Sequence, residues 1–172
     1  AYASAIGAIA KQARGDVRSS PGISVKLSAL HPRYEFTHRS TVLAELLPRA
    51  LDLARQAARA QIGFNIDAEE QDRLDLSLDV IEAMLADEGL KGWDGFGVVV
   101  QAYGRRAAPV IETLYDMAER YDRRIMVRLV KGAYWDTEIK LAQELGVERF
   151  PVFTRKINTD TSYMACAQML MD

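Results

Sequence analysis

Four stretches of this chain rise through apolar residues into a polar side chain, and helical patterns separate them. Residues 23–30 carry Lys26, residues 62–67 end in Asp67, residues 96–101 end in Gln101, and residues 125–130 carry Arg128. Between them, apolar residues recur at helical spacing: Leu43, Leu46, Leu47, Leu51, Ala54 and Ala58, then Leu74, Leu78, Ile81 and Leu85. Alternating strands and helices dictate a parallel sheet with right-handed crossovers. In such sheets the strand ends converge on one face, where ligands bind in closed barrels and in open sheets alike. One Lys, one Asp, one Gln and one Arg delivered to one mouth form a candidate site.

Further helices are expected over residues 1–12, 107–121, 137–145 and 159–171, with Pro109 tolerated in a first turn and Thr159 or Asp160 as a cap. Pro48 predicts a kink or a second helix start within residues 43–60. The fold class is therefore α/β with parallel strands. A complete eight-stranded barrel takes about 250 residues, so 172 residues with four strands make a small open domain or the first half of a (βα)8 TIM-type barrel. The abrupt start and the stop inside a helical pattern favour the half barrel.

With 49% apolar and 27% charged residues the chain can bury a core. A formal net charge of −2 gives no reason to expect nucleic acid as a partner. Arg105-Arg106 and Arg123-Arg124 are expected to be solvated charge. Cys166 is the sole cysteine, so no internal disulfide can form, which fits a reducing, cytoplasmic setting; it is expected to be a packed thiol. No signal-like h-region and no apolar span of membrane length occur. His31 and His38 lack partners at metal-ligand spacing, so no metal is expected.

Period-two alternation puts Ser24, Lys26 and Ser28 on one side of the first strand. Lys26 and Asp67, on neighbouring strands, are expected to pair, as an oriented site or as a structural salt bridge. Gln101 either reads a heteroaromatic edge or caps backbone. Arg128, bracketed by apolar residues, is costly unless paired, with Asp67 or Glu69 as candidates. Gly132-Ala133 removes bulk so that a flat ligand could approach, and Tyr134 and Trp135 offer aromatic walls. Lys131, like Lys26, is also a candidate Schiff-base lysine of an aldolase-type barrel. A non-catalytic half-barrel that serves as an assembly module is the remaining alternative.

The segments VKLSAL (25–30), NIDAEE (65–70), VQAY (100–103) and RLVKGAYWD (128–136), with FTRK (153–156) and TDTSY (159–163), resemble the proline dehydrogenase domain of bacterial proline utilization A flavoenzymes. The resemblance runs in order over nearly the whole chain. It implies a distorted (βα)8 barrel that holds FAD noncovalently and oxidises L-proline to Δ1-pyrroline-5-carboxylate, with a quinone or other acceptor taking the electrons. Residues 1–172 would supply about four βα units. By the resemblance, Lys26 meets the proline carboxylate and Asp67 orients it. Arg128 lies near flavin N5, Gln101 contacts the isoalloxazine edge, and Tyr134 packs on proline. Ala68, Val130, Lys131, Gly132 and Ala133 line the flavin, and Trp135 sits beside it. The family's RRxxE motif is missing from this sequence, so the remainder of the polypeptide is an expected partner and this segment alone is expected to be inactive. A peripheral contact with the inner membrane is a family expectation for the full-length enzyme.

Overall fold

A computed structural model describes residues 1–171. After a first helix α1 (Tyr2–Ala10), strands β1 (Ile23–Val25), β2 (Phe64–Ile66), β3 (Phe96–Gln101) and β4 (Met126–Val130) alternate with helices α2 (Arg39–Arg59), α3 (Leu74–Leu85) and α4 (Ala107–Arg120); α5 (Trp135–Glu144) and α6 (Lys156–Met171) follow. The sheet is wholly parallel, in the order β1-β2-β3-β4. That order settles the architecture. Right-handed crossovers that always step to the next strand in the same direction put every helix on one face. A doubly wound sheet would instead reverse direction and cover both faces. Here the second face is left to curve inward, as in a barrel.

The register sorts the strand residues accordingly. Ile23, Phe64 and Phe96 form one row, and Val25, Ile66, Val98 and Val127 the next. These rows point to the helices and join the core with Leu46, Ala50, Leu53 and Ala54 of α2, Val80 and Met84 of α3, and Ile111 and Leu114 of α4. The opposite rows begin with Ser24, Asn65, Gly97 and Met126. On β4 the burial alternates weakly, because its inner face opens to solvent.

Several local expectations change. The first strand stops at Val25, because residues 27–29 tighten into a 3-10 turn whose Ser28 N–H donates to the Glu69 carboxylate (3.0 Å). Ser28 therefore leaves the line of Ser24 and Lys26. Helix α2 starts at Arg39 and runs unbroken past Pro48, so proline makes no second start. The buried stripe of α3 is Leu76, Val80, Ile81, Met84 and Leu85, with Leu74 and Leu78 only partly covered. Thr159 and Asp160 lie inside α6 and do not cap it. All four doublet arginines have partners. Arg123 donates to the carbonyls of Leu85 (2.9 Å) and Asp87 (2.6 Å), satisfying acceptors that the end of α3 leaves open. Arg106 joins Asp75 and the Gln71 carbonyl, and Arg105 lies 5.6 Å from the Phe153 ring centre. Arg124 is exposed as expected and meets Asp94 at 3.4 Å. Cys166 is buried. No helix among the described residues is long and apolar enough to cross a membrane.

Candidate active site

The register carries the inner face directly to the site. Val99 and Arg128 are partners across β3 and β4, and Lys26 and Asp67 each stand one residue beyond the paired Val25 and Ile66. Lys26, Asp67, Val99 and Arg128 thus form one row on the concave face, at the carboxyl ends of the strands. Adjacent strands lie about 4.8 Å apart, so β2 and β4 are separated by two such steps. A guanidinium is long enough to cross that gap over Val99. Arg128 does so, and its Nη2 donates to Asp67 Oδ1 at 2.5 Å.

Two sequence expectations are corrected here. Asp67 pairs with Arg128, and no ion pair joins it to Lys26. Arg128 is not sunk in an apolar layer, since its side chain is 52% exposed on the open inner face. Lys26 instead faces Tyr134, with its ammonium 5.9 Å from the ring centre. Hydrogen bonding to Tyr134, aided by the charges of Glu69 and Asp67, holds the Lys26 ammonium above its usual pKa.

The end of β3 organises the loop after β4. Gln101, 6% exposed, accepts from the Ala133 N–H at its Oε1 (3.0 Å) and donates from Nε2 to the Glu69 carbonyl (2.9 Å). Its amide therefore spans two loops as a strut, and its row partner Val130 ends β4 beside it. Gly132 adopts φ +141°, and a Cβ there would stand 2.3 Å from the Tyr103 ring. The Cβ position of Gly132 is taken by the Tyr103 ring, while the glycine itself stays exposed beside a groove. Trp135 opens α5; it is 43% exposed and donates from Nε1 to the Phe153 carbonyl (2.9 Å). Ala68 borders an internal cavity of about 40 Å³ beneath the ends of β2 and β3.

Lys131 and Lys156 both bind Asp160, at 2.5 and 2.6 Å. The Asp160 hydrogen bond raises the Lys131 pKa, and the two ammoniums lower that of Asp160. A Schiff-base lysine needs the opposite shift, towards a free amine at neutral pH. Neither candidate lysine shows that shift, so the site does not favour the aldolase-type reading.

Two site-supporting residues, Tyr103 and Glu138, escaped sequence reasoning, and Glu69, weighed there as a partner of Arg128, takes other partners. Glu69 receives the Ser28 N–H and Arg73 (3.2 Å), and Glu138 of α5 receives the Gln71 N–H at 2.7 Å. The one available signal is period two at a strand end: Glu69 follows Asp67, and Tyr103 follows Gln101, by two residues. Among the described residues no group of His, Cys, Asp or Glu is arranged to hold a metal ion.

A sequential parallel sheet with a cation–carboxylate row at its carboxyl rim is the arrangement of a (βα)8-type barrel. The proline dehydrogenase family profile matches residues 1–172, and the chain belongs to that family. It is 58% identical over 167 residues to the bifunctional protein PutA of Rhizobium meliloti, covering 97% of this chain and 14% of that protein. Against the bifunctional protein PutA of Escherichia coli K12 it is 53% identical over 171 residues, covering 99% and 13%. A solved structure of a Bradyrhizobium japonicum proline utilization A mutant superposes with a TM-score of 0.97 at 58% identity, covering 99% of this chain and 18% of that one. Proline utilization A of Bdellovibrio bacteriovorus, inactivated by N-propargylglycine, gives 0.90 at 28% identity, with coverage of 99% and 19%. The chain spans about a seventh of the length of the curated relatives it matches.

Proposed function

We propose that residues 1–172 form about four βα units of a proline dehydrogenase barrel that oxidises L-proline to Δ1-pyrroline-5-carboxylate with FAD, the rest of the barrel coming from the remainder of a longer polypeptide. The observation that carries this reading is the row of Lys26, Asp67 and Arg128 on one face, with Tyr134 standing over Lys26.

The donor set fits a flavin nucleotide. A groove of about 320 Å³ beside β4 is lined by Tyr103, Lys131, Gly132, Trp135, Phe153 and Lys156. Its aromatic walls suit flat rings. Lys131 and Lys156 share one carboxylate, Asp160, which leaves a net positive charge for a phosphate-bearing ligand. When bound, FAD supplies the hydride acceptor.

The chain's own residues divide the remaining work. Lys26, kept protonated, is a point charge for the substrate carboxylate. Tyr134 provides an apolar wall for the pyrrolidine ring and fixes the ammonium beneath it. Arg128, aimed by Asp67, would supply a permanent cation for the negative charge that the hydride acceptor gains, a preorganised stabilisation that needs no rearrangement. Val130 and Ala133 line the inner rim, and Ala68 follows Asp67 at the top of β2. Gln101, whose amide is engaged by backbone on both sides, contributes at most its remaining N–H to the cofactor edge.

Quinone or another acceptor and contact with a membrane surface belong to the full-length enzyme, which we place in the cytoplasm or at the membrane's inner face; the single buried cysteine supports a reducing compartment. The test is anaerobic titration of the FAD-loaded full-length protein with L-proline. Bleaching of the flavin absorbance by L-proline, with a Lys26→Ala variant requiring far more of it, supports the reading. A flavin-free protein, or one indifferent to proline, overturns it.

A further inference from the structure

We infer that Tyr103 is a positioning residue that sets Tyr134 over Lys26 and thereby tunes the fit of the substrate; the inference rests on the reading of Lys26 and Tyr134 given above. Tyr103 lies two residues beyond Gln101, past the end of β3, and is 3% exposed. Four independent contacts tie it to neighbouring chain. Its N–H donates to the Lys131 carbonyl (2.7 Å) and its carbonyl accepts from the Phe153 N–H (2.8 Å), so its backbone is fixed on both sides. The ring lies flat against Gly132, at a distance that admits no Cβ. The phenol oxygen accepts from the Tyr134 N–H (3.3 Å).

The geometry has a consequence for Tyr134. With Gly132 seated on the ring and the Ala133 N–H held by Gln101, the Tyr134 amide is the third consecutive anchor of the loop. Its side chain leaves that fixed backbone to reach the Lys26 ammonium at the far edge of the sheet, 5.9 Å from the ring centre. Tyr103 touches neither substrate nor reacting atoms in this arrangement. It acts through the direction it gives Tyr134.

The test uses the FAD-loaded full-length enzyme with Tyr103→Phe, Tyr134→Ala and the double variant. Phenylalanine keeps the ring against Gly132 and removes only the acceptor. Because the ring that lines the groove is retained, Tyr103→Phe is expected to keep its melting temperature within a few degrees and to lower kcat by less than it raises KM, with flavin content measured alongside. KM for L-proline rises about three- to tenfold, the size of one lost hydrogen bond. Hydrogen exchange at the Tyr134 amide quickens. In the Tyr134→Ala background the same change adds nothing, because the effect passes through Tyr134. An unchanged KM for Tyr103→Phe, where Tyr134→Ala raises it, overturns the inference and leaves the proposed site standing. Additive effects in the double variant also overturn it. A Tyr134→Ala variant with ordinary proline KM removes the ground of the site reading, and this inference falls with it.

Discussion

Charge at the rim is held by single side chains whose partners can be removed one at a time. Arg128→Met in the FAD-loaded full-length enzyme should lower kcat by about a hundredfold or more, the usual cost of one preorganised charge at a reacting centre. Its melting temperature should barely move, because a half-exposed pair contributes only about 0–1 kcal/mol. A kcat within a few-fold of the parent would remove Arg128 from the chemistry. Glu138 makes a different prediction. Burial, chiefly, with Asp72 and Glu70 nearby, raises its pKa above the usual 4.5. The folded chain therefore keeps a proton that the unfolded chain has already lost. The stability this group contributes is full below its ordinary pKa and is lost as pH rises through the folded value. Glu138→Gln keeps the acceptor for the Gln71 N–H and cannot ionise. Denaturant unfolding should show the variant gaining on the parent as pH increases from about 4 to 7. A gap that stays constant across that range would show that Glu138 titrates alike in the folded and unfolded chain, and that burial does not raise its pKa. At this scale Lys26, Asp67 and Arg128 were legible, because each interrupts an apolar run near a strand end. Tyr103 and Glu138 were not, since a buried tyrosine or glutamate in sequence looks like any other until its hydrogen-bond partner arrives from another element.

Elements were readable where their period was long and uninterrupted. Helix α4 and strand β3 fall almost where the apolar spacing puts them, with Pro109 in the first turn. Short strands fared worse. Alternation through residue 30 predicts a long first strand, but Glu69 captures the Ser28 N–H and the chain turns after Val25. Local pattern loses there to a tertiary hydrogen bond. Helix α2 went the other way: Val42, Leu46, Ala50, Leu53, Ala54 and Ala57 bury one continuous stripe on both sides of Pro48, and packing overrides the break. Proline removes the donor that would meet the Ala44 carbonyl. Pro48→Ala should therefore raise stability by about 1–2 kcal/mol, less than proline's full helix cost because the unfolded chain also gains freedom. Chemical denaturation measures it, and a loss of stability would show that the α2 packing needs the proline.

On the scale of the whole molecule, all crossovers of this sheet step one way, so the helices cover one face and leave the rim residues on the other. That open face carries Met126 and Arg128 partly exposed. Expressed as residues 1–172, the chain should bind an apolar dye at this face and show no proline-dependent flavin bleaching. Joining it to the rest of its polypeptide should abolish the first and restore the second. Activity from residues 1–172 alone would contradict the half-barrel reading. The sequence by itself determined the alternation of elements, the parallel sheet and the residue types at each strand end, because hydrophobic period and chain order depend only on neighbours along the chain. Only the tertiary structure decided that Asp67 takes Arg128 and not Lys26, that Tyr134 covers Lys26, and that Gly132 makes room for Tyr103. Each of these is a choice among partners tens of residues apart, made by strand register and side-chain reach, and no local pattern encodes them.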